Sequence, residues 1–262
     1  MRVGVAELAL LAGAFAVCPA ESAVRMHLIG GRPIVDGVYL NSHGPYRFLI
    51  DTGTSLNHFD PGLAKSAGLR PGFRSELVTS IGMAQVPGAS GIEVTLDSLV
   101  VADQRFLFAG IDALRESYPD VVGVLGQEFL SRFDYLLDLQ RKRIEFGARE
   151  PDAAKVRTPM RTVAGRPVVA TNLGGLVLDS GVNRLTLFYA EAVALTHRMI
   201  TMTGSVPVGM IPSRLVIGGH MFWHGEAVAV PRPAEDNTVG LMPASMFRTV
   251  YVSNSDGYVV LE

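Results

Sequence analysis

At 262 residues the chain is long enough for one large domain or two small ones, and 48% apolar against 18% charged residues excludes a disordered or heavily solvated polymer. A net charge of -2 leaves no basic surplus to neutralise a phosphate backbone, so nucleic acid is not an expected partner. Gly at 28 and Pro at 15 call for many turns and short elements, which favours β structure.

The chain opens on Arg2, an apolar stretch from Leu8 to Val17, and Cys18-Pro19-Ala20. This order predicts an export signal over residues 1–20, cleaved after Ala20, and a protein that is secreted or periplasmic. Cys18 is the only cysteine, which excludes internal disulfides and a thiolate zinc site. Val17 is bulkier than the small residue that precedes a lipid-anchored cysteine. No later stretch has the 18 or more apolar residues of a membrane span.

After the signal, Gly31-Arg32-Pro33-Ile34-Val35 leads to the apolar run Phe48-Leu49-Ile50, which ends in Asp51-Thr52-Gly53. Asp60-Pro61 before Leu63 to Ala67, with Gly68 after, predicts a short helix with an N-cap, a first-position proline and a C-terminal glycine. The segment Thr79 to Glu93 reads as a hairpin, Leu99 to Phe106 as a strand, and Ala148 to Pro159 as a linker. The same series then recurs. Gly165-Arg166-Pro167-Val168-Val169 answers the first segment, Leu176-Val177-Leu178-Asp179-Ser180-Gly181 the second, Leu215 to Phe222 matches Leu99 to Phe106, and Val239 to Met242 matches Val122 to Leu125. In this alignment Ala190 to His197 takes the place of the short helix. The second unit is about twelve residues shorter between its aspartate and its later strand, so only the first is expected to carry a long hairpin.

One Asp-Thr-Gly means little, because Asp and Gly are ordinary turn residues. Two in register, each at the end of an apolar strand, bring two carboxylates face to face if the units are related by a pseudo-twofold. Like charges at that distance do not both ionise, so the pair shares one proton; one member is then a base toward water and the other an acid toward a carbonyl oxygen. Other chemistry is poorly supported. His220 and His224 fall on a predicted strand, where i and i+4 lie about 13 Å apart, too far for a metal pair. His58 is read as a hydrogen-bonded loop histidine, Trp223 as hairpin or inter-unit packing, and no phosphate loop, dinucleotide fingerprint or Gly-x-Ser-x-Gly elbow is present.

Over nearly its whole mature length the chain resembles an aspartic protease built of two fused retropepsin-like units, in the manner of single-chain pepsin-like enzymes. The resemblance rests on Phe48 to Thr54, Leu176 to Val182, and Val124-Leu125-Gly126 with Gln127-Glu128-Phe129-Leu130 after it. It implies an all-β, bilobal, aspartic-protease-like fold, with one lobe over residues 21–155 and the other over 156–262. It further implies Asp51 and Asp179 as the catalytic pair, supported by Thr52, Gly53, Thr54, Ser180 and Gly181. Thr52 and Ser180 are the hydroxyls that cross-link the loops, and Gly82, Gly88 and Gly91 mark a tyrosine-free, glycine-rich flap. Gly126 is answered by Pro243, a departure from the family pattern. The implied activity is peptide-bond hydrolysis of an extended polypeptide by a monomer, without metal or cofactor; the alternative is a catalytically silent peptide-binding or sensory module. The residue after each glycine also differs: Thr54 is expected to donate to its carboxylate and Val182 to offer nothing from its side chain, which leaves the dyad one donor short and its basic limb high. Arg184, five residues after Asp179, is read as a surface group.

Overall fold

The computed structural model describes residues 22–79, 82–109, 111–152, 156–189, 197–201, 204–232 and 237–262. The predicted signal, Cys18, the linker residues 153–155 and most of the segment Ala190 to His197 lie outside them. The described chain is almost entirely strand: β1 (Ser22–Ile29), β2 (Arg32–Leu40), β3 (His43–Ile50), β4 (Asn57–Phe59), β5 (Phe73–Thr79), β6 (Gly82–Leu96), β7 (Leu99–Leu107), β8 (Val121–Leu125), β9 (Tyr135–Asp138) and β10 (Arg143–Phe146) precede residue 150. They are followed by β11 (Val156–Val163), β12 (Arg166–Thr171), β13 (Gly174–Asp179), β14 (Thr186–Tyr189), β15 (His197–Thr201), β16 (Gly204–Ile217), β17 (His220–Pro231), β18 (Gly240–Pro243), β19 (Thr249–Ser253) and β20 (Tyr258–Leu261). Three short helices interrupt them, α1 (Pro61–Ala64), α2 (Asp112–Ser117) and α3 (Gln127–Leu130), with a 3-10 turn at Ala244–Met246.

The fold is bilobal and all-β, as the sequence leads one to expect. In the first lobe β2, β3, β8, β4, β7 and β6 pair in that order and β6 returns to β2, so the barrel closes. The second lobe repeats the order as β12, β13, β18, β14, β17 and β16. It stops one seam short: β12 is six residues long where β2 has nine, and Asn172 reaches β16 through its backbone N–H to Val216 O and its side chain to Arg214 O and Val216 N–H. A six-stranded antiparallel sheet joins the lobes, with β1, β10 and β9 from the first and β19, β20 and β11 from the second. Val156 to Pro159, read as linker from the sequence, belong to this sheet, because β20 offers them an unpaired edge.

The short helix at Asp60 forms as predicted: Asp60 accepts from the Leu63 N–H at 3.0 Å, Pro61 sits in the first turn, and Gly68 adopts φ +71. Other readings need correction. Leu215 is not equivalent to Leu99, because β16 ends at Ile217 and the chain turns at Gly218-Gly219, both at positive φ, before β17 begins at His220. Leu99 and His220 are the matching strand starts. Forty-nine positions separate His58 from Leu107 and 42 separate Thr186 from Val228, the corresponding parallel partners, so the second lobe is shorter by seven residues rather than twelve. It carries a hairpin as well: β15 and β16 pair at five positions, against seven for β5 and β6. His197 opens this hairpin instead of ending a helix.

Candidate active site

The strand-loop segments that end β3 and β13 deliver Asp51 and Asp179 to the boundary between the lobes. The reason lies in the apolar runs before them: Phe48, Leu49 and Ile50, like Leu176, Val177 and Leu178, are fully buried, which fixes where each strand stops. Parallel pairing to β8 and β18 then seats each carboxyl on the lobe floor, with the Asp51 N–H donating to Leu125 O at 3.0 Å. The loops interlock reciprocally. Thr52 Oγ1 donates to Leu178 O at 2.7 Å and accepts from Ser180 N–H at 3.0 Å, while Ser180 Oγ donates to Ile50 O at 2.7 Å and accepts from Thr52 N–H at 3.0 Å. All four groups are buried, so each bond replaces water that cannot reach them.

Asp51 and Asp179 are each 5% exposed, and each carboxyl bears directly on the ionisation of the other. The glycines make this approach feasible. A Cβ on Gly53 would lie 2.2 Å from the Asp179 carboxyl, and one on Gly181 would lie 2.5 Å from an Asp51 oxygen. Burial pushes both carboxyls above the ordinary carboxylate range. The rise is larger at Asp179, where the negative charge of Asp51 adds to burial. At Asp51 the Gly53 N–H, the neighbouring Asp179 carboxyl, and the positive charges of Arg32 and Arg166 pull in the opposite direction. With both carboxyls raised and each bearing on the other, the pair holds one proton between them.

The supporting residues are not placed as the sequence suggests. Thr54 does not serve Asp51; its hydroxyl faces His58 Nε2 at 3.4 Å, and His58 Nδ1 bonds Ala109 O at 3.0 Å. Burial holds His58 below its usual pKa, so it stays neutral. Nor is Val182 idle: its backbone N–H donates to Asp179 Oδ1 at 3.2 Å, beside the Gly181 N–H at 2.7 Å, so Asp179 has two backbone donors to Asp51's one. Side-chain chemistry alone could not reveal a backbone donor. Arg184 is exposed, in line with a surface role. The three glycines assigned to the flap separate: Gly82 starts β6 at the hairpin turn, Gly88 ends the paired stretch under Phe73, and Gly91 lies in a bulge at φ +70.

Sequence reasoning also missed residues around the first loop. Gln127 Nε2 donates to Thr52 O at 2.8 Å, Asn57 Oδ1 accepts from Gly126 N–H at 2.9 Å, and Asn57 Nδ2 donates to Gln104 Oε1 at 3.3 Å. Arg32, noticed only as part of a repeat, spans the lobes: Nε donates to Gly181 O at 2.6 Å and Nη1 to the Tyr118 hydroxyl at 3.1 Å. His220 and His224 lie on β17, and among the described residues no cluster of His, Cys, Asp or Glu is arranged to hold a metal. Among the same residues, no helix is long and apolar enough to cross a membrane.

Residues 36–129 match the family model described as aspartyl protease. No curated protein matches the sequence significantly. Among solved structures, basic 7S globulin from soybean is similar over 92% of this chain and 94% of its own, with a TM-score of 0.56 and 11% identity. A retropepsin-like aspartic protease from Rickettsia conorii is similar over 48% of this chain and 89% of its own, with a TM-score of 0.37 and 15% identity. By sequence over much of its first lobe, and by its two-lobed all-β fold, the chain is aspartic-protease-like.

Proposed function

We propose that the protein is an aspartic endopeptidase in which Asp51 and Asp179 activate a water against a peptide bond, with one lobe over residues 21–155 and the other over 156–262. The observation that carries this reading is the pair of buried, facing carboxyls on two loops cross-linked through Thr52 and Ser180. Such burial of two like-charged groups costs stability unless they share a proton, and a shared proton is what general acid and base work requires.

In the proposed reaction ionised Asp51 takes a proton from water as its oxygen bonds the scissile carbonyl carbon, and protonated Asp179 gives its proton to the carbonyl oxygen. The tetrahedral species then collapses. The C–N bond breaks, the amine nitrogen receives the proton held by Asp51, and Asp179 recovers one from the hydroxyl that becomes the new carboxyl carbonyl. Both carboxyls end as they began. The hairpin of β5 and β6 supplies an edge against which an extended polypeptide can be held as an added strand. Because one chain supplies both aspartates, a monomer suffices, and an exported location fits the N-terminal signal read from the sequence.

Digestion of a peptide library by the full chain, with and without a transition-state-mimic inhibitor of aspartic proteases, tests the reading. Inhibitor-sensitive cleavage at internal bonds is expected. Binding of peptides without cleavage at any pH favours the silent module instead.

A further inference from the structure

The two catalytic loops are supported differently, and the difference points to Arg32. Around the first loop Asn57, Gln104 and Gln127 form a buried polar frame. Strand register places Leu185, Gly225 and Ala244 at the corresponding positions of the second lobe. None of these can donate from a side chain. The second loop instead receives a bond from outside its lobe, the Arg32 Nε donation to Gly181 O at 2.6 Å. The guanidinium is held for this purpose: its Nη1 donates to the Tyr118 hydroxyl, and the Gly30-Gly31 turn before it packs on Tyr118 and Ser245. Gly181 is the same residue whose missing Cβ lets the Asp51 carboxyl approach.

We propose that Arg32 is a positioning residue of the dyad, which docks the second lobe's loop through the Gly181 carbonyl and keeps a fixed positive charge beside Asp51. This inference rests on the protease reading for its kinetic consequences but not for its geometry. A guanidinium suits the task because its planar fork bonds two oxygens at a set angle while remaining charged at any working pH. The groups that bear on Asp51 are Asp179 from the end of β13, Arg32 from β2 and Arg166 from β12. His58, from β4, faces Thr54 and stays neutral, and Arg184 is exposed. Arg166 holds the repeat position of Arg32. Near the first loop, Ser55 Oγ also crosses between the lobes, donating to Ala164 O at 2.5 Å.

The sign of the effect follows. A cation beside Asp51 favours its ionised form, so neutralising Arg32 raises the pH at which Asp51 first ionises and moves the acid limb of activity upward. Arg32→Lys keeps charge but loses the fork. The test is a carboxyl-carbon NMR titration of the full chain labelled at aspartate, with Asp51 assigned through Asp51→Asn, alongside peptide cleavage across pH. Arg32→Gln is expected to move the Asp51 titration and the acid limb to higher pH together. Arg32→Lys is expected to leave the titration in place while kcat falls about tenfold through loop misplacement. Should Arg32→Gln fail to fold, Tyr118→Phe frees one end of the guanidinium and should give a smaller upward movement. A folded Arg32→Gln or Tyr118→Phe protein with an unmoved Asp51 titration overturns the proposal. The titration needs no turnover, so an inactive wild-type protein whose Asp51 still responds to Arg32 would refute the protease reading and leave this inference standing.

Discussion

The two lobes carry the same strand order around different interiors. The first closes its barrel and fills it with aromatic rings: Phe48 stacks on Phe59 at 6.0 Å and meets Phe106 edge-on at 6.2 Å, and Phe129, Phe133 and Phe146 cluster at 5.1 to 5.7 Å. The second leaves one seam unpaired and is lined mainly by aliphatic residues such as Val169, Leu176, Leu178, Leu187 and Ile217. The polar frames differ to match. Gly126 has a buried N–H, and Asn57 satisfies it; Pro243 has none, and Leu185 stands where an amide would be wasted. Each substitution is understandable only together with its partner. The proposed chemistry asks of each lobe one carboxylate and one hydroxyl, and the residues behind those groups differ between the lobes in matched pairs.

If the lobes are equal at the carboxyl pair, either Asp51→Asn or Asp179→Asn should reduce peptide turnover by on the order of 10³-fold or more in a protein that still folds, measured as kcat/KM. Comparable loss from both variants supports equal dependence; substantial turnover in one would break it. Their unequal cores make the next prediction. Phe48→Ala empties the centre of the aromatic cluster and should cost about 3–5 kcal/mol in denaturant unfolding. The coordinated frames predict about 1–3 kcal/mol for Asn57→Leu, which installs the second lobe's residue but orphans the Gly126 N–H. A neutral result there would show that water or backbone movement supplies the missing acceptor.

The smallest effect concerns pH and stability. Both aspartates have folded pKa values raised above the unfolded ones, so the folded state is favoured below the unfolded carboxylate range, and that advantage is lost as pH rises through the folded values. Asp179→Asn removes the group raised furthest. Its Tm should exceed that of the wild type by a few degrees at neutral pH and approach it in acid, as read by thermal unfolding across pH. A lower Tm at neutral pH would mean that the lost carboxyl hydrogen bonds outweigh relief of burial.

The paired Asp-hydroxyl-Gly segments, the two-unit organisation and the capped helix at Asp60 were legible because each is written in adjacent residues. The later hairpin was misaligned because Leu215-Val216-Ile217 and Leu99-Val100-Val101 look alike as apolar strand. The turn signal that separates them, Gly218-Gly219, was present in the sequence and outweighed by that likeness. The roles of Thr54, Val182, Gln127 and Arg32 were not legible. A hydroxyl next to an aspartate has more than one possible partner, a backbone N–H carries no residue label, and the reach of Arg32 to Gly181 crosses 149 positions of chain.

The pH dependence of cleavage tests the shared proton most directly. Since burial raises both members of the pair, and the charge of Asp51 raises Asp179 further, the singly protonated state spans a window above the ordinary carboxylate range. The account predicts a bell-shaped kcat/KM profile for an internally cleaved peptide, highest from mildly acidic toward neutral pH and abolished in Asp51→Asn. A profile without an acid limb, or one that persists unchanged in Asp51→Asn, would contradict it.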